Sequence, residues 1–220
     1  NFFLNNKRLF KSDKVKSLCI GNIYVGGTGK TPTVIKIYEM LNSLNYNVAT
    51  AKKFYPSQKD EQIILNNKTK LITGKTRKKI IEKAEINEVK IVIFDDGLQD
   101  KDLDYDLKAV CFDSEKWIGN GHLLPSGPLR ENLDSLKKYN MVFLKQNYSK
   151  LDEIINLIKY YNPSITIFIT EYKFKNLSKF NTSDSYLIFS GIGNHDNFKN
   201  SIVKENFKIV DEIIFPDHHE

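Results

Sequence analysis

The sequence predicts an α/β fold, a mostly parallel sheet flanked by helices, followed by a smaller C-terminal α/β lobe. Three observations carry that expectation. Short apolar runs of strand length alternate with segments whose apolar residues recur at helical spacing. The first run leads through a glycine-rich turn into a helix, and a later one ends in paired aspartates, the places where open α/β sheets bind ligands. At 220 residues, 40% hydrophobic and 27% charged, the chain is long enough to bury a core and too apolar for wholesale disorder.

Lys16 to Val25 is read as the first strand, with Leu18, Cys19, Ile20, Ile23 and Val25 as its apolar residues; Val34, Ile35, Ile37, Tyr38 and Leu41 mark the helix that follows. Between them lies Gly21-Asn22-Ile23-Tyr24-Val25-Gly26-Gly27-Thr28-Gly29-Lys30-Thr31-Pro32, which reads as a phosphate cradle. Gly26, Gly27, Thr28 and Gly29 turn backbone N–H groups toward phosphate oxygens, Lys30 reaches the β/γ-phosphates, and the Thr31 hydroxyl joins a Mg²⁺ shell. A nucleotide and Mg²⁺ are therefore the expected ligands, ATP being the nucleotide that the resemblance given below implies, and the sheet is expected to be P-loop NTPase-like. Tyr24 stands where the strict pattern G-x-x-x-x-G-K-[ST] has glycine, so the loop is a variant.

Asn47 to Thr50 supplies a second strand, Lys52 to Glu61 a polar loop, and Ile63 to Leu65 a short apolar piece. Thr76 to Ala84 is a basic helix, and Glu88 to Phe94 a buried strand running into Asp95-Asp96-Gly97. This resembles a Walker B element, in which Asp95 holds Mg²⁺ opposite the Thr31 hydroxyl and Asp96 orients or supplements it; a plain strand-end turn is the alternative. Leu107 to Phe112, Met141 to Leu144 and Thr166 to Thr170 continue the strands. Gly119 to Glu131 is a Gly- and Pro-rich block ending in Arg130-Glu131. It reads either as a shaped binding loop, with Arg130 neutralising a phosphate and Glu131 joining the metal shell, or as an ordinary connection closed by a surface ion pair. Pro163 and the polar stretch Lys173 to Asp184 interrupt the alternation, which divides the chain into a core over 1–172 and a lobe over 173–220. In that lobe Tyr186 to Ser190, Phe198 to Phe207 and Lys208 to Phe215 read as strand, helix and strand.

The net charge of +6 fits an anionic partner or simply a lysine- and asparagine-rich composition. Its basic residues are dispersed, without the aromatic-basic modules of nucleic-acid binders, so no nucleic acid is expected as partner. No apolar run reaches the length of a membrane span. Cys19 and Cys111 lie in apolar strand segments as core thiols. His218 and His219, without further ligands, do not make a zinc site, whereas His218 beside an acid would tune it as a base. At the amino end Phe2, Phe3, Leu4, Leu9 and Phe10 mix with Lys7, Arg8, Lys11, Lys14 and Lys16, which suits either a membrane interface or a helix docked on the body. The chain begins without methionine and stops at Asp217-His218-His219-Glu220, so residues are expected to be missing at both ends and the lobe to be incomplete.

Taken together, the cradle Gly21 to Pro32, Asp-Asp-Gly-Leu-Gln at Asp95 to Gln99, the block Gly119 to Glu131, Phe-Ser-Gly-Ile-Gly-Asn at Phe189 to Asn194, and Phe-Pro-Asp-His-His at Phe215 to His219 resemble the tetraacyldisaccharide 4'-kinases, the lipid A 4'-kinases of Gram-negative bacteria. The resemblance implies transfer of the ATP γ-phosphate to the 4'-hydroxyl of an acylated disaccharide 1-phosphate, giving lipid IVA. It implies a peripheral enzyme on the cytoplasmic face of the bacterial inner membrane; no obligate protein partner is inferred. It raises Asp60, otherwise an ordinary loop acid, to a base acting with His218, and sets Asn22 and Arg130 against substrate. The family also lacks the first Walker glycine. Two departures stand out: Asp100 where the family usually has histidine, and Lys52-Lys53-Phe54-Tyr55 where it usually has Ser-Arg-Gly-Tyr. The alternatives are a P-loop ATPase or small-metabolite kinase without a lipid acceptor, and a truncated or repurposed nucleotide-binding protein without lipid kinase activity.

Overall fold

Strands covered on both faces are buried along most of their length, and four segments show this most fully: Lys16–Gly21 (β1), Val48–Lys53 (β2), Ile91–Asp95 (β4) and Leu107–Asp113 (β5). With Leu71–Gly74 (β3), Met141–Lys145 (β6) and Thr166–Thr170 (β7), they form one seven-stranded sheet in the order β3-β2-β4-β1-β5-β6-β7, every neighbouring pair parallel. The computed structural model describes residues 9–54, 59–100, 102–146, 151–174, 176–191 and 195–216. Two compact units divide the chain, Asn1–Thr170 and Glu171–Glu220.

Helices cover the sheet of the first unit. Lys30–Ser43 (α1) and Lys59–Lys68 (α2) press Val34, Ile35 and Leu65 against Leu18, Ile20, Val48 and Ile93 on one face. Arg77–Ile86 (α3) presses Ile80, Ile81 and Ala84 against Cys19, Ala51, Val92 and Phe94 on the other. Leu151–Tyr161 (α4) buries Ile154 and Ile158 with Val110, Phe112, Val142 and Leu144. Each fully buried branched side chain contributes about 1.5–3 kcal/mol. Because Ile20 lies opposite Asp95 in the β1–β4 register, the end of the first strand and the acidic strand end arrive side by side. The sheet also changes direction here, with β4 on one side of β1 and β5 on the other, which is where α/β sheets open a ligand crevice.

Several expected boundaries move. β1 stops at Gly21 rather than Val25, because beyond it the backbone pairs with the 119–131 loop: Arg130 N–H donates to Ile23 O at 2.7 Å and Val25 N–H to Pro128 O at 2.8 Å. β2 continues through Lys52 and Lys53, which were expected in a loop, since Thr50 to Lys53 pair with Leu71 to Gly74 of β3. The expected loop acid Asp60 and the apolar piece at 63–65 lie on α2 instead; burial of Leu65 and the bond from Thr69 N–H to Leu65 O at 2.8 Å favour helix there. Phe10 docks on the body, exchanging backbone bonds with Asp102 and Asp104 and packing beside the α3 core cluster. The greasy tip, residues 2–4, lies outside the described residues.

In the second unit Ser185–Ser190 (β8) and Lys208–Ile214 (β9) pair in parallel, and His195–Lys204 (α5) connects them, starting and ending three residues earlier than expected. Its first residue fixes that start: His195 Nδ1 lies 2.6 Å from Ser190 Oγ and Nε2 lies 3.1 Å from Glu212 Oε2, so the buried ring ties α5 to both strands.

Candidate active site

The phosphate loop is shaped by its own residues. Asn22 is buried at the end of β1 and its Nδ2 donates to Gly26 O at 3.2 Å, folding the chain back on itself. Gly29 closes the loop at φ 82°, the left-handed region where glycine carries no side-chain penalty, and its carbonyl accepts from Thr33 N–H at 3.1 Å and Thr33 Oγ1 at 2.8 Å. No atom lies within 4 Å of the positions where side chains on Gly26 or Gly27 would begin, so open space faces both. Asn22 Oδ1 and Thr28 Oγ1 are buried without partners, and α1 has no acid in its first turn. A helix amino end left positive, with unpartnered polar atoms beneath it, is suited to an anion.

Beside it, at the end of β4, Asp95 is 1% exposed. Its Oδ2 accepts from the Thr31 hydroxyl at 2.9 Å and from Lys52 Nζ at 3.1 Å, while Oδ1 is buried with no partner. Burial pushes the Asp95 carboxyl above its ordinary range, opposed by Lys52 and Thr31. Burial works against the Lys52 ammonium, but Asp95 and Glu61 outweigh it and raise its pKa, so the lysine stays charged. Asp96 turns away at φ 66°, with Lys30 Nζ 3.9 Å and the Arg130 guanidinium 3.6 Å from its Oδ2. Arg77 walls this turn: it pairs with Asp100 and donates to Asp96 O at 3.0 Å. Gly97, at φ 154°, leaves no room for a side chain, since a Cβ would stand 2.7 Å from the Arg77 guanidinium and the Tyr105 hydroxyl. A cavity of about 370 Å³ opens between these groups, lined by Lys52, Lys53, Arg77, Arg130 and the three aspartates Asp95, Asp96 and Asp100.

Glu131 is held rather than free. Its carboxylate accepts from the Tyr139 hydroxyl at 3.0 Å and from Gln99 Nε2 at 2.8 Å, and Gln99 also donates to Asn22 O at 3.1 Å. Burial and the Glu131 carboxylate together push the Tyr139 phenol well above its ordinary range, so it remains a donor.

The family model for tetraacyldisaccharide-1-P 4'-kinase matches residues 3–220. The chain belongs to that family. A tetraacyldisaccharide 4'-kinase from Pelagibacter ubique (strain HTCC1062) is 44% identical over 217 residues, covering 99% of this chain and 69% of that protein. Its counterpart from Rickettsia canadensis (strain McKiel) is 33% identical over 224 residues, covering 93% and 66%. The chain thus spans about two thirds of the length of these relatives. Among solved structures, an LpxK from Aquifex aeolicus, in complex with ATP, superposes with a TM-score of 0.68 at 20% identity, over 96% of this chain and 74% of that one. The 54 kDa signal recognition particle protein from Aeropyrum pernix, in complex with GDP, superposes at 0.53 with 11% identity, over 74% and 43%. Both likenesses concern the fold, a parallel sheet of P-loop type.

For this tetraacyldisaccharide 4'-kinase family member, the structure gathers Gly26, Gly27, Thr28, Gly29, Lys30, Thr31, Asp95, Asp96 and Arg130 at the ends of β1 and β4, with Asn22 beneath the loop. Glu131 joins through Gln99 and Tyr139 and makes no bond to Asp95 or Thr31. Asp60 lies in the first turn of α2, and its side chain and His218 lie outside the described residues. Sequence reasoning missed four contributors: Lys52, Arg77, Gln99 and Tyr139. A lysine ending a buried strand signals the first, and Gln99 sits inside a motif already singled out; Arg77 and Tyr139 reach the site only through tertiary packing.

Proposed function

We propose that this chain carries the core of a kinase that transfers the γ-phosphate of ATP to the 4'-hydroxyl of tetraacyldisaccharide 1-phosphate, yielding lipid IVA. The observation that supports it most is the meeting of Thr31, Asp95 and Lys30 with Asp96 at adjacent strand ends, beneath an open glycine loop, in a chain of this family. The ATP held by the Aquifex aeolicus relative supports the same nucleotide here.

Mg²⁺ fits these residues. The unpartnered, buried Asp95 Oδ1 and the neighbouring Thr31 hydroxyl are hard oxygen donors, and among the described residues no group of three or more His, Cys, Asp or Glu forms an all-protein cage. Bound there, Mg²⁺ would neutralise charge developing on the β- and γ-phosphate oxygens. The chain's own groups do the remainder. The loop N–H groups and Lys30 hold the phosphates, and Arg130 adds positive charge at the same place. Asp96 restrains Lys30 and Arg130. Asp60 accepts the proton leaving the 4'-hydroxyl, and His218 keeps that carboxylate charged. Positioning and electrostatics supply the rate, as phosphoryl transfer asks little covalent chemistry of a protein.

We also place the enzyme at the cytoplasmic face of the inner membrane, held peripherally by its aromatic and basic amino end; among the described residues no helix is long and apolar enough to cross a bilayer. We take the core to run over 1–172 and the lobe over 173–220. Transfer from labelled ATP to tetraacyldisaccharide 1-phosphate in detergent tests the reading, with Mg²⁺ or chelator and with Lys30→Ala. Metal-dependent product that falls by about 10²–10³-fold in the variant is expected. ATP binding without product under every condition would replace the reading with a nucleotide-binding protein that is not a lipid kinase.

A further inference from the structure

Lys52 is 3% exposed near the end of β2. A lysine present only for packing would run its ammonium out to water. This one points inward, and its Nζ bridges two carboxylates: Asp95 Oδ2 at 3.1 Å and Glu61, with which it forms an ion pair. Glu61, whose side chain is 35% exposed, could face solvent entirely and instead turns toward the buried cation. It lies in the first turn of α2, one residue after Asp60. The sharing of Asp95 is equally specific. Oδ2 takes Lys52 and the Thr31 hydroxyl, whereas Oδ1 is left without any protein partner.

We propose that Lys52 is a positioning residue, an internal cation that fastens the Asp60-bearing turn of α2 to Asp95 before nucleotide arrives. One oxygen of Asp95 is thereby committed to the protein and the other kept for the ligand. The roles of Asp60 and Asp95 rest on the kinase reading above; the clasp between α2 and β4 does not. A buried cation between two acids is needed where both must stay charged and at fixed separation, because removal of the cation leaves the acids repelling each other.

The test combines hydrogen exchange of backbone amides 61–68 in the nucleotide-free protein with steady-state kinetics, for Lys52→Met, Glu61→Gln and the double variant. Each single variant is expected to speed exchange of α2 by about tenfold or more, and the double variant to add little, because both break the same contact. Lys52→Met is expected to lower kcat by about 10²-fold while KM for ATP, set by the phosphate loop, stays within about threefold. Unchanged α2 exchange in both single variants overturns the proposal, as does a loss expressed wholly in KM for ATP with kcat intact. If Lys52→Met does not fold, Glu61→Gln, at a partly exposed position, decides the matter by the same exchange readout. Absence of Mg²⁺-dependent transfer in the unmodified chain, or transfer indifferent to Lys30→Ala, removes the kinase reading, and the exchange data still decide the clasp independently.

Discussion

The pair between Arg77 and Asp100 gives the sharpest prediction, because both partners are nearly out of water and both sit behind the Asp96-Gly97 turn. Their side chains are 6% and 14% exposed. The guanidinium gives one nitrogen to Asp100 and another to Asp96 O at 3.0 Å, and its Nε has no partner. Asp100→Ala would leave this cation with a single neutral acceptor. Breaking a buried pair from one side costs about 3–5 kcal/mol, and the residual exposure of Asp100 places the loss near the lower end, about 3 kcal/mol. For a unit of this size that corresponds to a fall in Tm of roughly 6–12 °C. Urea unfolding followed by the fluorescence of Trp117 reads it, since this single tryptophan packs on Phe112 inside the first unit, ring centroids 4.8 Å apart. Adding Arg77→Met should return most of the loss, because the uncompensated charge leaves with it. An Asp100→Ala protein within about 0.5 kcal/mol of the original, or a double variant that shows the two losses summed, would refute the reasoning.

Three further outcomes follow from the same structure. Ile80→Ala, at a position with 0% exposure between α3 and the sheet, should cost about 2–5 kcal/mol, seen as a lower urea midpoint with an unchanged slope. Thr76 caps α3 by accepting from Lys79 N–H at 3.3 Å, so Thr76→Ala should cost about 1 kcal/mol in the same assay. Burial pushes Asp106 up, yet the Ser17 amide and hydroxyl and Lys16 outweigh it and hold its carboxyl below the ordinary 3.8. A depressed folded pKa gives stabilisation that is complete above the unfolded value and is lost as pH falls through the folded one. Asp106→Asn should therefore be less stable at about pH 7, and the gap should narrow as pH falls below the ordinary 3.8, checked by urea midpoints across that range.

Elements whose burial is uniform were the ones the sequence made plain. β4 reads directly because Ile91 to Phe94 are apolar without a break and the acids follow at once. α2 does not, because Leu65 is its one buried apolar residue while Ile63 and Ile64 are 56% and 45% exposed, so no periodicity separates helix from strand. β3 has only four residues and is recognisable by its pairing with β2 rather than by its letters. α4 carries the helical spacing openly at Leu151, Ile154, Ile155 and Ile158, yet the sequence reading leaves it unnamed. In the site, residues contributed by one continuous turn were legible as motifs. Lys52 is signalled only by its place near the end of a buried strand, and Arg77 not at all, since the acids that hold a buried cation come from β4, α2 and the 97–100 turn.

The variant phosphate loop shows how such cross-chain support replaces a local rule. Glycine at the first position of the strict pattern would let the backbone turn freely after the strand. Here Tyr24 keeps a negative φ and bridges to Leu129, flanked by the bonds from Arg130 N–H to Ile23 O and from Val25 N–H to Pro128 O. The 119–131 loop therefore holds the first half of the cradle in place, and a side chain at 24 causes no strain. The same bonds bring Arg130 within 3.6 Å of Asp96, and Gln99 ties Glu131 to Asn22 O at the start of the cradle. A change that loosened Pro128 or Leu129 would thus disturb the cradle and its cations together. The Gly- and Pro-rich block, ambiguous as sequence, is in this arrangement part of the nucleotide site's framework.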